Sequence, residues 1–266
     1  MNKLQQILLL AIVMIVLHSC RGKEDDAVMP DRDYSAAQDN FQGEFFFTDA
    51  LRQSDIAYKD GEDGSPCIQS VTIDLDTMPH TMLVDFGTTN CVGENGLSRR
   101  GKLFVTFAGP YGEAGTEITI TPQDYYVNDH HVQGVKTVTN AGQNDQGQTY
   151  FNVNVNGTVT APDGSWTSTH TSQRIRTWIE GEGSTTIYDD VYSISGNGSG
   201  VNRNGVAYTT NTVSPLRAEI GCPWIVSGVQ QVIPAGRPAR SIDFGSGACD
   251  PIVSITVGDY TFTIGG

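Results

Sequence analysis

Basic residues are scarce in this chain: 16 Lys and Arg stand against 30 Asp and Glu in 266 residues, a formal charge of −14. That balance excludes the basic face that nucleic-acid binding requires, and no nucleic-acid partner is expected. Apolar runs of membrane-spanning length are also lacking, which excludes a polytopic membrane protein. Charged residues make up only 17% against 38% hydrophobic, too little charge for a wholly disordered chain. No GxSxG nucleophile elbow occurs. From Cys67 onward no ten-residue helical pattern appears, so a βαβ parallel sheet is excluded. An acidic, β-rich domain remains, with 30 glycines to turn its strands.

The N-terminus reads MNKLQQILLLAIVMIVLHSC. Lys3 supplies a positive start, and Leu8 to Leu17 form a short apolar run. As a helix that run spans about 15 Å, half of a hydrocarbon core of about 30 Å. Residues 1–19 are therefore expected to be a signal peptide. Leu17-His18-Ser19-Cys20 resembles the bacterial lipobox. The resemblance implies cleavage before Cys20, acylation of that residue and stable anchoring in the outer membrane. Lys23-Glu24-Asp25-Asp26 is similar to the acidic export signal of Bacteroidota surface lipoproteins, which implies cell-surface display, with a periplasm-facing location as the alternative. Residues 20–33 read as a lipidated flexible tether.

Residues 34–58 carry a helical pattern. Tyr34, Ala37, Phe41, Phe45, Thr48 and Leu51 recur at spacings of three and four, while Asp39, Glu44, Asp49 and Asp55 fall mainly elsewhere. The pattern predicts an amphipathic helix with an aromatic face toward the fold and its acids toward water. After a turn-rich KDGEDGSP, the period changes to two, as in Phe151, Val153 and Val155 alternating with Asn152 and Asn154. Alternation with Thr and Asn predicts antiparallel strands with one wet face. Asp163-Gly164, Gly196-Asn197-Gly198 and Asn204-Gly205 read as turns between them.

One echo stands out: DFGTTNC at residues 85–91 and DFGSGAC at residues 243–249. Each is preceded by a second cysteine, Cys67 or Cys222. A hairpin that paired Cys67 with Cys91 would turn at Pro79, and one that paired Cys222 with Cys249 would turn between Ala235 and Gly236. Both centres fall on strong turn signals, and facing antiparallel residues lie at disulfide distance. Two bonds are predicted, Cys67–Cys91 and Cys222–Cys249, consistent with export to an oxidising compartment.

Candidate chemistry is sparse. Adjacent His130 and His131 point to opposite faces of a strand and do not make a metal site. Asp60, Glu62 and Asp63 lack the ligand spacing of a calcium loop. Asp189-Asp190 is the acid pair to examine for glycosidase chemistry. Trp166, Trp178, Tyr188 and Tyr192 are expected to be packing residues rather than a sugar platform. No catalytic residue, metal or cofactor is predicted. Asp76-Thr77-Met78 resembles the O-glycosylation signal of Bacteroidota exported proteins, which makes Thr77 a candidate acceptor.

The whole resembles uncharacterised Bacteroidota lipoproteins in which a helix precedes a long β-meander. The lipobox, the acidic tether, Phe41 to Phe47, Tyr126-Val127-Asn128 with Val135-Lys136-Thr137-Val138-Thr139-Asn140, and the DFG ending carry that resemblance. The expected fold is mainly β: one domain over 34–266, a single large curved antiparallel meander like an open half-barrel, with the N-terminal helix on its concave apolar face. A β-sandwich is the alternative, because a sheet this large tends to curl or split. The expected function is a non-enzymatic envelope lipoprotein with a binding or structural role and a glycan or protein partner. A carrier of apolar ligands and a hydrolase without a recognisable motif are the alternatives.

Overall fold

The computed structural model describes residues 31–93 and 95–265. The chain divides after Asp31, and the unit from Arg32 onward carries the fold. The signal peptide and Cys20 lie outside the described residues.

Helix α1 (Ser35–Asp60) comes first, about 39 Å long for its 26 residues. A short 3-10 turn (Gly61–Gly64) ends it. The strands follow: β1 (Ser70–Asp74), β2 (His80–Asp85), β3 (Cys91–Val92), β4 (Ser98–Phe107), β5 (Glu117–Val127), β6 (His130–Gln143), β7 (Thr149–Thr160), β8 (Thr167–Glu180), β9 (Val191–Val201), β10 (Ala207–Glu219), β11 (Ile225–Pro234), β12 (Arg240–Ser246), β13 (Val253–Val257) and β14 (Tyr260–Ile264). They form one antiparallel sheet whose order follows the chain, with β1 and β14 at its edges and the short β3 paired to β4. The sheet is open, so the half-barrel meander is the fold and the sandwich is not. No helix among the described residues is long and apolar enough to cross a membrane.

Alternation builds the sheet as expected in β7, where Phe151, Val153, Val155 and Val159 are buried and Asn152, Asn154 and Asn156 are exposed. Phe46, Phe47, Ala50 and Leu51 of α1 join those residues and Met82, Leu103, Ile120 and Val138 in the main core. A second cluster joins Ala36 and Ala37 to Tyr208, Leu216, Val232, Ile242 and Ile255. Full burial of one such aromatic or aliphatic side chain contributes about 1.5–3 kcal/mol.

The orientation of α1 departs from its periodicity. Asp39 and Asp49 are buried, whereas Tyr34 is exposed and Phe41, Phe45 and Thr48 are half-buried. The acids face the sheet because the sheet's inner surface is not purely apolar. On β8 the inward residues are Ser168, His170, Ser172, Arg174 and Arg176, all buried. Two glycines let helix and sheet approach. A Cβ on Gly43 would lie 2.8 Å from Cγ of His170, and one on Gly157 would lie 2.2 Å from Cζ of Phe47. Gly43 costs the helix about 1 kcal/mol in propensity and gains this contact. Gly196-Asn197-Gly198, expected as a turn, lies inside β9. Asn204-Gly205 and Asp163-Gly164 do form turns.

The DFG echo is a repeated local device. Asp85 Oδ1 accepts from the Gly87 amide at 2.8 Å, and Asp243 Oδ1 accepts from the Gly245 amide at 2.9 Å. Both glycines have φ near +80 to +90°, and both phenylalanines are buried. The first copy closes β2, and the second lies inside β12 at a register shift against β11; each leads toward a cysteine. The disulfides Cys67–Cys91 and Cys222–Cys249 are both present, with Cα atoms 5.4 and 5.8 Å apart. Their hairpin derivation needs correction. β1 and β2 pair Ser70 with Asp85 and Asp74 with Thr81, which centres the turn between Thr77 and Met78 rather than on Pro79. Cys67 therefore lies beyond the ladder, and Cys222 lies before β11 begins. The first bond joins the loop before β1 to β3 and the second joins two loops, so neither links facing strand positions.

Non-reducing peptide mapping is expected to recover these two linkages. Replacing Cys222 and Cys249 together by Ala is expected to lower stability by about 3–4 kcal/mol in denaturant titration, from the loop they close.

Candidate functional site

The chemistry-bearing groups converge between α1 and the inner face of the sheet. Four acids of α1 meet cations there. Asp39 accepts from the Arg203 backbone amide at 2.6 Å and from its guanidinium Nε at 2.8 Å. Glu44 Oε1 accepts from Arg174 Nε at 3.0 Å and also from Arg174 Nη2. His170 Nε2 stands 3.7 Å from the same oxygen. Asp49 receives a two-point bond from Arg99, at 2.9 and 2.7 Å, with both side chains about 1% exposed. Asp55 faces the charges of Arg176 and Lys136. Lys136 Nζ donates to the Phe47 carbonyl at 3.2 Å, and Arg176 lies 3.5 Å over the Tyr192 ring.

Burial and these pairings shift the acids in opposite directions. Burial works to raise Glu44, but Arg174, His170 and Lys136 outweigh it and hold the carboxyl at about 2. Burial raises Asp55 to about 6 against the pull of Arg176 and Lys136. Asp190 also rises to about 6, through burial and then the neighbouring charge of Asp189. Burial, then Arg176, lowers Lys136 to about 8. Burial keeps His170 below its ordinary value despite Glu44.

Two spaces open beside this array. An inner cavity of ≈ 80 Å³ lies between α1 and β6–β13, with Glu44, Lys136, Arg174 and Arg176 among its lining. An open groove of ≈ 360 Å³ follows the uncovered side of α1 past Gln38, Gln42, Asn128, His130 and Arg203. Phe41, Phe45, Trp224 and Pro251 line both and separate them. Trp224 stacks on Phe45 with ring centroids 4.7 Å apart. The Cys222–Cys249 bond holds the loops that carry Trp224 and Pro251.

The residues singled out from sequence do not assemble into one site. Thr77 is exposed at the β1–β2 tip, and its hydroxyl contacts Asp74. Asp189 and Asp190 part company: Asp189 is exposed and accepts from Ser184, while Asp190 is buried beside Tyr192. His130 and His131 take opposite faces, His130 against Phe46 and Trp166, His131 stacked on Tyr126. Trp166 lies under Arg203, Trp178 packs on Tyr192, and Tyr188 donates to Asp60. No group of three His, Cys, Asp or Glu able to hold a metal occurs among the described residues. Sequence reasoning missed Lys136, Arg174 and Arg176: the inward face of β8 carries no apolar residue from Ser168 to Arg176, whereas Lys136 shares its face of β6 with buried Val132 and Val138, a signal that was there to read. Comparison with protein-family models, curated proteins and solved structures finds no match for the chain.

Breaking the Arg99–Asp49 pair by Asp49→Ala leaves a buried guanidinium uncompensated, and a loss of about 3–5 kcal/mol is expected in denaturant titration. The double variant Arg99→Met, Asp49→Leu is expected to recover most of that loss.

The shifted groups also set a pH profile. Native Asp55 and Asp190 bind protons up to about 6 but unfolded ones only up to about 3.8, so stability falls as pH rises between those values. Native Lys136 loses its proton near 8 and unfolded lysine near 10.5, so stability rises across that interval. The contribution of Glu44 is full above 4.5 and is lost as pH falls toward about 2. Denaturant titrations across pH are expected to show the fall and the rise, with Asp55→Asn flattening the first and Lys136→Met removing the second.

Proposed function

We propose that this chain is a lipid-anchored, non-enzymatic protein of the outer membrane, displayed at the cell surface, with a binding or structural role. The observation that carries this reading is the occupation of the sheet's concavity by α1, tied in place by three close ion pairs. A carrier of long apolar ligands needs a large enclosed space, and the inner cavity beneath α1 holds ≈ 80 Å³ while the larger groove is open to solvent. A glycosidase needs two carboxylates turned into one cleft, and Asp189 and Asp190 diverge. The groove beside α1, with half-buried Phe41, Phe45 and Trp224 between Gln38, Gln42 and Asn128, offers a contact face for a glycan or protein partner. The anchor rests on Leu17-His18-Ser19-Cys20 and the address on the acidic residues after it.

Metabolic labelling with an alkyne fatty acid is expected to mark the wild-type chain and not Cys20→Ser, which should leave the membrane fraction. External protease on intact cells is expected to remove the chain. Survival of the intact chain there, with digestion after outer-membrane disruption, would assign the periplasm-facing alternative. An unlabelled wild-type chain would overturn the anchor itself.

A further inference from the structure

The inner cavity has apolar walls from Val153, Val155, Ile194, Leu216 and Val253 over an ionic floor. Within that floor Arg174 is engaged by Glu44, and Arg176 rests on Tyr192 and donates to Tyr111 at 3.2 Å. Lys136 differs from both. It is 5% exposed, its ammonium donates to the Phe47 carbonyl, and among the described residues no carboxylate oxygen lies within 4.0 Å of it. An ammonium carries three donors, and Glu44 and Asp55 face its charge from beyond hydrogen-bond distance. Two further polar atoms of lining residues have no partner: Ser172 Oγ and Arg174 Nη1, both buried. The unfilled capacity of the floor is therefore mainly donor capacity, and what these donors lack is an acceptor within hydrogen-bond distance.

We propose that this cavity binds a short-chain carboxylate, whose oxygens take up the free donors of Lys136 and whose hydrocarbon lies against Val153, Ile194 and Leu216. The size follows from the volume: ≈ 80 Å³ is roughly half of a cavity of about 150 Å³ that admits benzene, so it admits a few carbons and excludes a long acyl chain. The apolar walls favour a carboxylate with a hydrocarbon part over an inorganic oxyanion. Further round the lining Arg52 adds a positive group and Asp49, Glu219 and Asp250 add negative ones. This deepens the binding role proposed above by naming a ligand class, and it does not depend on the anchor.

The test is calorimetric titration of the full chain with sodium butyrate, 1-butanol, butylammonium, inorganic phosphate and decanoate. Saturable binding of butyrate, with every other probe at least about tenfold weaker, is expected from a charged hydrogen bond in a small apolar cavity. Lys136→Met is expected to weaken butyrate at least about tenfold. Ala218→Phe, which fills the cavity from β10 without touching the ions, is expected to abolish binding and stands in if Lys136→Met does not fold. Absence of butyrate binding overturns the proposal, as does equal binding of butanol, phosphate or decanoate, or unchanged affinity in a folded Lys136→Met. None of these outcomes bears on the labelling of Cys20, so the two readings fail separately.

Discussion

The pairing of acids on one helix with arginines on the surrounding sheet is the interaction on which this structure depends. Asp39, Glu44 and Asp49 lie along the face that α1 turns inward, and Arg203, Arg174 and Arg99 reach them from widely separated parts of the meander. Each charge is tolerable inside only because the other is there, since an isolated buried ion would cost several kcal/mol. The pairs therefore act on specificity as much as on affinity. They select one axial position and one rotation of α1, which a uniform apolar stripe would not do. Gly43 against His170 and Phe47 against Gly157 select the same placement sterically.

Around that axis the sheet has little freedom. Neighbouring strands are neighbours in sequence, so each hairpin is formed locally and the sheet has only to curve around the helix. The two disulfides secure the places where the ladder stops, one beside β3 and one at the loops before β11 and β13. The second also holds Trp224 against Phe45, and so it forms part of the wall between the surface groove and the inner cavity. A structural crosslink and the edge of a candidate site are here the same bond.

Much of this was legible in the residues. The period-two pattern of strands such as β7, the turn at Asn204-Gly205 and the helical spacing over residues 34–58 each correspond to what forms. The cysteine pairing was legible too, although its register was not, because the cysteines do not sit at facing positions of the hairpin ladders that the arithmetic assumed. What the pattern could not reveal was the inner face of β8. Ser168, His170, Ser172, Arg174 and Arg176 alternate with Thr169, Thr171, Gln173 and the exposed Ile175, so no apolar residue marks the inner face over this run. The same blindness turned the helix acids outward, since periodicity separates apolar from polar but not a solvated acid from a paired one. The candidate cavity belongs to this hidden set, as its floor is built from the residues that a hydropathy pattern assigns to water.

The acidic inward face of α1 has a further consequence, in the order of assembly. The helix is the first part of the described fold to be synthesised, yet Asn40 bonds to Gln230 and Asp39 to Arg203, long stretches of chain away. A helix with a wide apolar face would spend that interval seeking any greasy surface, including a second copy of itself. The docking face of α1 carries Phe46, Phe47 and Leu51, but the aspartates and glutamate between them keep it partly hydrated until the matching guanidiniums exist. The charges that lock the finished fold thereby also keep its earliest piece from aggregating while it waits.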